Sequence, residues 1–353
     1  MDHLNAMGSQ KTRKIIHSLS VRLVCHSSSM LTAGFTLLFK MMLFSRWLAL
    51  FGIMIFLLCL PFSHPSAQER VRKPAVAGYF YPSDKEELIK TVDDFISNVE
   101  QKHIPGRIIA IMSPHAGYVF SGQVAAYSYR HIMDTQYDTV ILLGPSHRIY
   151  FKGASVGNWD FYATPLGKVK VNREIVSSLL NTGEPFHFVE RAHLMEHSVE
   201  TQISFLQRAL KNFDIVPIVM GSRSLSICRK ISEVLAETVK KRNVLFVASS
   251  DMSHYPNYSN ANTIDRNTLS LIKNYDPNLV FTSEEKMLSK GIPNLSTTLC
   301  GLSSVVTVMM TTKKLDGNAV EILHYANSGD VTIHGRREIR RVVGYGSVAF
   351  YKQ

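Results

Sequence analysis

Three continuous apolar runs, Ile108–Met112, Thr139–Leu143 and Val244–Ala248, constrain this chain more than any other feature. Each is too short for a typical globular helix and lacks polar alternation, which is the pattern of strands buried on both faces. Each is followed within a few residues by a histidine: His115 in SPHAGY, His147 in GPSHR, and His254 beside Asp251 in SSDMSHY. In an open α/β sheet the loops after parallel strands share one edge, and ligands bind in the crevice outside the carboxyl ends. Segments far apart in sequence are therefore expected to bring imidazoles and a carboxylate into one pocket.

Helical patterns alternate with these strands. Pro82–Gln101 carries Leu88, Val92 and Phe95-Ile96 at helical spacing, with Ser83 as the expected N-cap and acids in the first turn. Further helices are expected around Gly122–His131, Glu196–Lys211, Ile227–Lys241, Thr263–Tyr275, Ser283–Leu288 and Leu302–Met310. Ile215–Val219 has the character of a strand, and Pro217 suits an edge or a strand end. Glu321–Ala326 and Val342–Tyr351 close the chain as strands that would pair antiparallel. The fold class expected is α/β: a mixed, mainly parallel sheet covered by helices on both faces, in one domain over residues 68–353.

The first 67 residues have another character. Arg46, the uncharged apolar run Trp47–Leu60 and the small residues near Ala67 give the n-region, h-region and cleavage site of a signal peptide. Fourteen apolar residues fall short of the roughly 20 that a membrane span needs. Export is thus expected, with an uncleaved N-terminal anchor as the alternative. A signal peptide normally starts its chain, so Met41 or Met42 is the expected true start. The leader holds six Lys/Arg against one acid, Asp2, leaving 33 basic and 27 acidic residues in the remainder. The RVRK run (Arg70–Lys73) and the RREIRR run (Arg336–Arg341) supply much of that excess, and both are expected on solvated faces. No aromatic-interleaved basic stripe points to nucleic acid. Cys25 and Cys59 lie in the leader, and Cys59 lacks the small residues that precede a lipidated cysteine. Cys228 and Cys300 alone remain, too few for a disulfide framework.

Imidazole suits zinc, copper and iron, and thiolate is softer still. His115, His147 and Cys300 each sit in a glycine-containing turn, PHAG, GPSH and LCG, where backbone can approach closely. Asp251 and His254 are open to roles as ligand, base or second-sphere group. Glu196, His197 and Glu200 in MEHSVETQ fall at a helix start, where acids complement the dipole without further function. Cys228, at helical spacing with Ile231 and Leu235, is a core residue. Tyr79, Tyr81, Tyr118 and Phe120 suit either a pocket wall or the core.

The segments AGYFYPSD, SPHAGYVFSG, GPSHR, EHSVE, SSDMSHY, LCG, NSGD and GYGSVAF, in this order from Ala77 to Phe350, resemble the Memo family, called AmmeMemoRadiSam system protein B in bacteria and archaea. That resemblance implies a three-layer α/β/α fold similar to the class III extradiol (LigB-type) dioxygenases. It places the family's pocket histidines on His115 and His147 and its pocket cysteine on Cys300, as expected ligands of a metal ion, with iron or copper ahead of zinc. Asp251 and His254 match the neighbouring pair, implying roles in proton handling or in holding a water. The dioxygenases complete their iron site with a carboxylate, so a thiol here departs from ring-cleaving chemistry. The implied function is a metal-binding, redox-active protein. The alternatives are a peptide- or small-ligand-binding module with a vestigial pocket and a metal-dependent hydrolase using Glu200 or Asp251 as base. AMMECR-type and radical-SAM proteins are partners implied by the family, and membrane contact is expected only through the N-terminal segment.

Overall fold

The computed structural model describes residues 29–58 and 68–353. The expected cleavage site near Ala67 and the segment before residue 29 lie outside the described residues. Helix α1 (Ser29–Leu58) takes in most of the leader's apolar run, with Leu38, Phe39 and Trp47 exposed.

Residues 68–353 fold as one compact unit, built along the chain in α/β alternation. After β1 (Val71–Arg72) come α2 (Lys85–Ser97), β2 (Arg107–Ser113), α3 (Tyr118–Arg130) and β3 (Thr139–Pro145). A run of short pieces follows: β4 (Ala154–Val156), β5 (Phe161–Thr164), β6 (Gly167–Lys170), α4 (Arg173–Asn181), β7 (Phe186–His187) and α5 (Arg191–Leu194). Then come α6 (Glu200–Ala209), β8 (Asp214–Met220), α7 (Leu225–Val239), β9 (Val244–Ser249), α8 (Tyr258–Lys273), α9 (Pro277–Leu288) and α10 (Leu302–Lys314). Strands β10 (Ala319–Asn327) and β11 (Gly344–Lys352) finish the chain.

Eight strands form the main sheet in the order β10-β11-β2-β9-β3-β8-β4-β7. Its centre, β2-β9-β3-β8, is parallel, and β10 and β11 add an antiparallel pair at one side. Helices α2, α3 and α6 pack on one face; α4, α7, α8, α9 and α10 pack on the other. This is a three-layer α/β/α arrangement. Val140 to Leu143 and Leu245 to Ala248 are wholly buried, as expected of strands covered on both sides. A second sheet, β1-β5-β6, pairs separately and meets the first where Val171, just after β6, bridges to Ile215 of β8.

Four expectations need correction. Asp84, not Ser83, caps α2, its carboxylate accepting the Glu87 N–H at 2.9 Å. The helix expected from Glu196 begins only at Glu200, because Glu196 turns its carboxylate back onto the N–H groups of His197 and Ser198. Pro217 sits in the interior of the sheet, since β8 pairs with β3 on one side and β4 on the other. Strand β4 pairs only as far as Ile218, and the Pro217 carbonyl accepts from Gly157 just past that register. A strand residue's N–H and C=O point the same way, so the missing proline N–H falls beyond the end of β4. Finally, Arg72 of the RVRK run is buried, whereas Arg336–Arg341 is exposed throughout.

Arg72 is buried because it has partners for its charge. Its Nη1 donates to Glu200 Oε2, and its Nη2 donates to the carbonyls of His193 (2.8 Å) and Glu196 (2.7 Å). Glu200 also accepts from Ala75 N, Val76 N and the Tyr81 hydroxyl. A buried ion pair with its remaining lone pairs filled is the form in which the interior tolerates charge. The network fastens the N-terminal strand to the His193–Glu200 turn, and Tyr81 and Tyr118 pack in the core beside it.

Candidate metal centre

Strands β2, β9 and β3 are neighbours running in one direction, and Ser113 pairs with Ser249 at their carboxyl ends. The loops that follow therefore emerge side by side, carrying His115, Asp251 with His254, and His147. Cys300 reaches them from the turn before α10. That turn is laced to the β9 loop: Cys300 N donates to the Asp251 carbonyl, Asp251 N donates to Cys300 Sγ at 3.2 Å, and His254 N donates to the Thr297 carbonyl. Close approach requires glycine here, since a Cβ on Gly301 would stand 2.4 Å from the Ser249 carbonyl oxygen.

One donor atom each from His115, His147 and Cys300 lies within 4.8 Å of the other two. Cys300 Sγ is 3.1 Å from His115 Nε2, and the two imidazole centroids are 5.1 Å apart. Asp251, His254 and Cys300 form an overlapping group of the same tightness. Asp251 Oδ1 accepts from the N–H groups of His115 and Ala116, while Oδ2 stands 3.9 Å from Nε2 of both His115 and His254. His254 Nε2 is buried without a hydrogen-bond partner among the described residues.

Hydrogen bonds fix which ring nitrogen of each ligand candidate carries the proton. The Ser249 hydroxyl has one hydrogen, given to the Ser198 carbonyl, so it accepts from Gln202 Nε2 (2.8 Å) and from His115 Nδ1 (2.9 Å). His115 is thereby protonated on Nδ1, and its Nε2 lone pair faces Cys300. His147 Nδ1 lies 2.9 Å from Glu196 Oε1 and donates to it, leaving its own Nε2 free. Glu196 is held in turn by the N–H groups of His147, His197 and Ser198. A carboxylate or hydroxyl on the far nitrogen is how metal-ligating imidazoles are oriented.

With no cation present, these surroundings favour neutral groups. Burial, reinforced by the neighbouring imidazoles, pushes His115 well below the usual range and brings His197 and His254 to about 4. Burial also raises Asp251 to about 6 and, with Asp251 nearby, lifts the Cys300 thiol well above its ordinary value. Glu196 goes the other way: burial would raise it, but the His147 hydrogen bond and the His147 and His197 charges hold it at about 2. A bound cation would reverse the pressure on the thiol, since coordination requires thiolate.

The ligand candidates Asp251, His254, His115, His147 and Cys300 thus meet in one place. Three further residues belong with them: Glu196 and His197, which the sequence offers as a second set with the acid serving the helix dipole, and Ser249, which it does not single out. His197 stacks on His147 (centroids 4.4 Å) and meets His115 edge-on, its outer face covered by Phe80. Glu196 orients His147, and Ser249, the last residue of β9, orients His115. The adjacency of Glu196 to a histidine was the available signal; helix-terminus chemistry masked it. His193 is structural, fixed between the Tyr162 hydroxyl and Ser155 Oγ. Glu200 is committed to Arg72, which removes it as a general base.

Residues 72–349 match the family described as Memo-like protein. A MEMO1 family protein of Methanobrevibacter smithii is 35% identical over 292 residues, covering 79% of this chain and 99% of its own. Another from Thermoplasma acidophilum is 35% identical over 278 residues, with 78% and 97% covered. A third, from Aquifex aeolicus, is 35% identical over 283 residues, with 80% and 99% covered.

Proposed function

The chain belongs to the Memo family, and from that premise we propose that it binds one redox-active transition metal, iron or copper, through His115 Nε2, His147 Nε2 and Cys300 Sγ. The observation that carries this reading is the pair of fixed tautomers: Ser249 and Glu196 occupy both Nδ1 positions, leaving both Nε2 lone pairs available beside one sulfur. The donor set also fits. Two neutral imidazoles and a thiolate suit iron, copper or zinc and are too soft for magnesium or calcium. The unpartnered His254 Nε2 beside this group supports a further atom being held there.

When bound, such a metal supplies Lewis acidity and one-electron chemistry. The chain's own groups do the rest. The Cys300 proton must leave on coordination; Asp251 Oδ2 and His254 Nε2 stand next to it as acceptors, and the Asp251 N–H stabilises the negative sulfur. Asp251, raised by burial to about 6 in the metal-free site, and His254 are the groups placed to hold or move that proton as the thiol gives it up. Phe80 and the His197 ring exclude water from one side of His147.

Elemental analysis of the purified protein after anaerobic reconstitution tests the assignment. One equivalent of iron or copper is expected, lost in His115→Ala and His147→Ala. A wild-type protein that stays metal-free after reconstitution with iron, copper and zinc in turn would sink it. Oxygen uptake set against hydrolysis of an ester and phosphoester panel then separates redox from hydrolytic chemistry.

A further inference from the structure

A cavity of about 530 Å³ opens over His147, His254 and Cys300, and it is the way in to the candidate metal centre. Its wall mixes apolar and polar surface and is one-sided in charge. Serine and threonine hydroxyls line it, among them Ser222 and Thr297, and the one ionic side chain in the lining is Arg223. No carboxylate faces the space among the described residues.

The guanidinium of Arg223 is held in place rather than used up. Nη1 donates to Glu284 Oε1 at 2.6 Å, and Glu284 is itself buried and fixed by the Thr297 hydroxyl at 2.8 Å. Nη2 makes only long contacts, 3.3 Å to Thr297 Oγ1 and 3.4 Å to the Cys300 carbonyl, and Nε has no acceptor among the described residues. About half of the side chain remains exposed. Arginine presents five donors in a rigid fork matched to planar oxyanions, and here several of them are unengaged or weakly engaged. The same residue touches the carbonyl of Cys300, so a group bound on its fork lies close to the proposed ligand sulfur.

We infer that this cavity takes a small organic carboxylate, with Arg223 as the residue that docks its anionic group and sets specificity. The substrate class rests on the metal reading for what happens next, but docking on Arg223 does not require a metal. Glu284 and the Thr297 hydroxyl act by positioning the fork, leaving Ser222 to meet the molecule's other polar atoms. Size supports a compact ligand of roughly one ring or a short chain, because small-molecule sites of this volume enclose most of what they bind.

The test is calorimetric titration of the full chain, metal-free and metal-reconstituted, with benzoate, benzamide and inorganic phosphate. Benzoate is expected to bind both forms and to weaken about tenfold or more in Arg223→Met, the scale of a lost charge-assisted hydrogen bond. Benzamide, of equal shape and no charge, is expected to bind far more weakly than benzoate to the wild type. Because Arg223→Met strands a buried carboxylate, the double variant Arg223→Met with Glu284→Gln is measured beside it. Arg223→Lys, which keeps the charge and loses the fork, should recover only part of the affinity. The inference is overturned if the wild type gives no benzoate isotherm, if benzamide binds equally well, if phosphate binds more tightly, or if the double variant binds benzoate as the wild type does. Benzoate binding to a protein that takes up no metal would support this inference while ending the metal reading, so the two fail separately.

Discussion

Two buried polar clusters share the His193–Glu200 turn, and they are finished differently. Around Arg72 and Glu200 the carboxylate accepts from Arg72, two backbone N–H groups and Tyr81, and the arginine spends its remaining donors on carbonyls. Four residues earlier, Glu196 is as thoroughly bonded, but the imidazole it orients ends in a free lone pair. The first cluster closes on itself and fastens the chain. The second hands its outstanding valences to a common point shared with His115 and Cys300. A closed network is what stability alone requires; an open one, held open by neighbours that fix each tautomer, is the mark of a ligand site.

Breaking the closed cluster should have the largest effect. Arg72→Met leaves Glu200 charged and buried, and about 3–5 kcal/mol of unfolding free energy should be lost in denaturant titration. Pairing it with Glu200→Gln should restore part of that, because the stranded charge is gone while an acceptor remains for Ala75, Val76 and Tyr81. If Arg72→Met is silent, the contrast between the clusters is wrong.

The open cluster should respond in metal affinity instead. Glu196→Gln and Ser249→Ala each remove the group that fixes a ring tautomer, and each should weaken metal binding about 10–100-fold in chelator competition. Unchanged affinity would mean that the tautomers are set elsewhere.

A pH series sharpens the same contrast. His254 is held to about 4 in the folded protein against the ordinary 6.5. Between those values the unfolded chain binds a proton that the folded one refuses, so this residue's contribution is present above about 6.5 and is lost as pH falls toward 4. The metal-free wild type should therefore lose more stability over that window than His254→Gln, by at most about 1.4 kcal/mol per pH unit. Equal slopes in the two proteins would place the imidazole in an ordinary environment. Smallest of all, Cys300→Ala should change metal-free stability by only about 1 kcal/mol while weakening, without abolishing, metal uptake. A much larger destabilisation would make the thiol a structural residue.

Much of this architecture could be read in advance because it is written locally. The continuous runs that became β2, β3 and β9 carry their own signature, and their ends place His115, His147 and Asp251. What escaped depends on partners distant in sequence. Nothing in RVRK says that Arg72 will find Glu200 128 residues away and be buried by it. Likewise Glu196 has the look of a helix-dipole acid until His147, 49 residues earlier, arrives to donate to it. Pro217 misled because its missing donor costs only one bond, at the end of the β4 pairing where Gly157 still donates to its carbonyl. Strands of two to four residues, β4 to β7, are too brief for periodicity to register.

X-ray absorption at the metal edge of the reconstituted protein tests the central claim most directly. Convergence of residues 115, 147 and 300 predicts a first shell with two imidazole nitrogens and one sulfur, the sulfur vanishing in Cys300→Ala. A wild-type spectrum of nitrogen and oxygen alone, unchanged by that substitution, would contradict it.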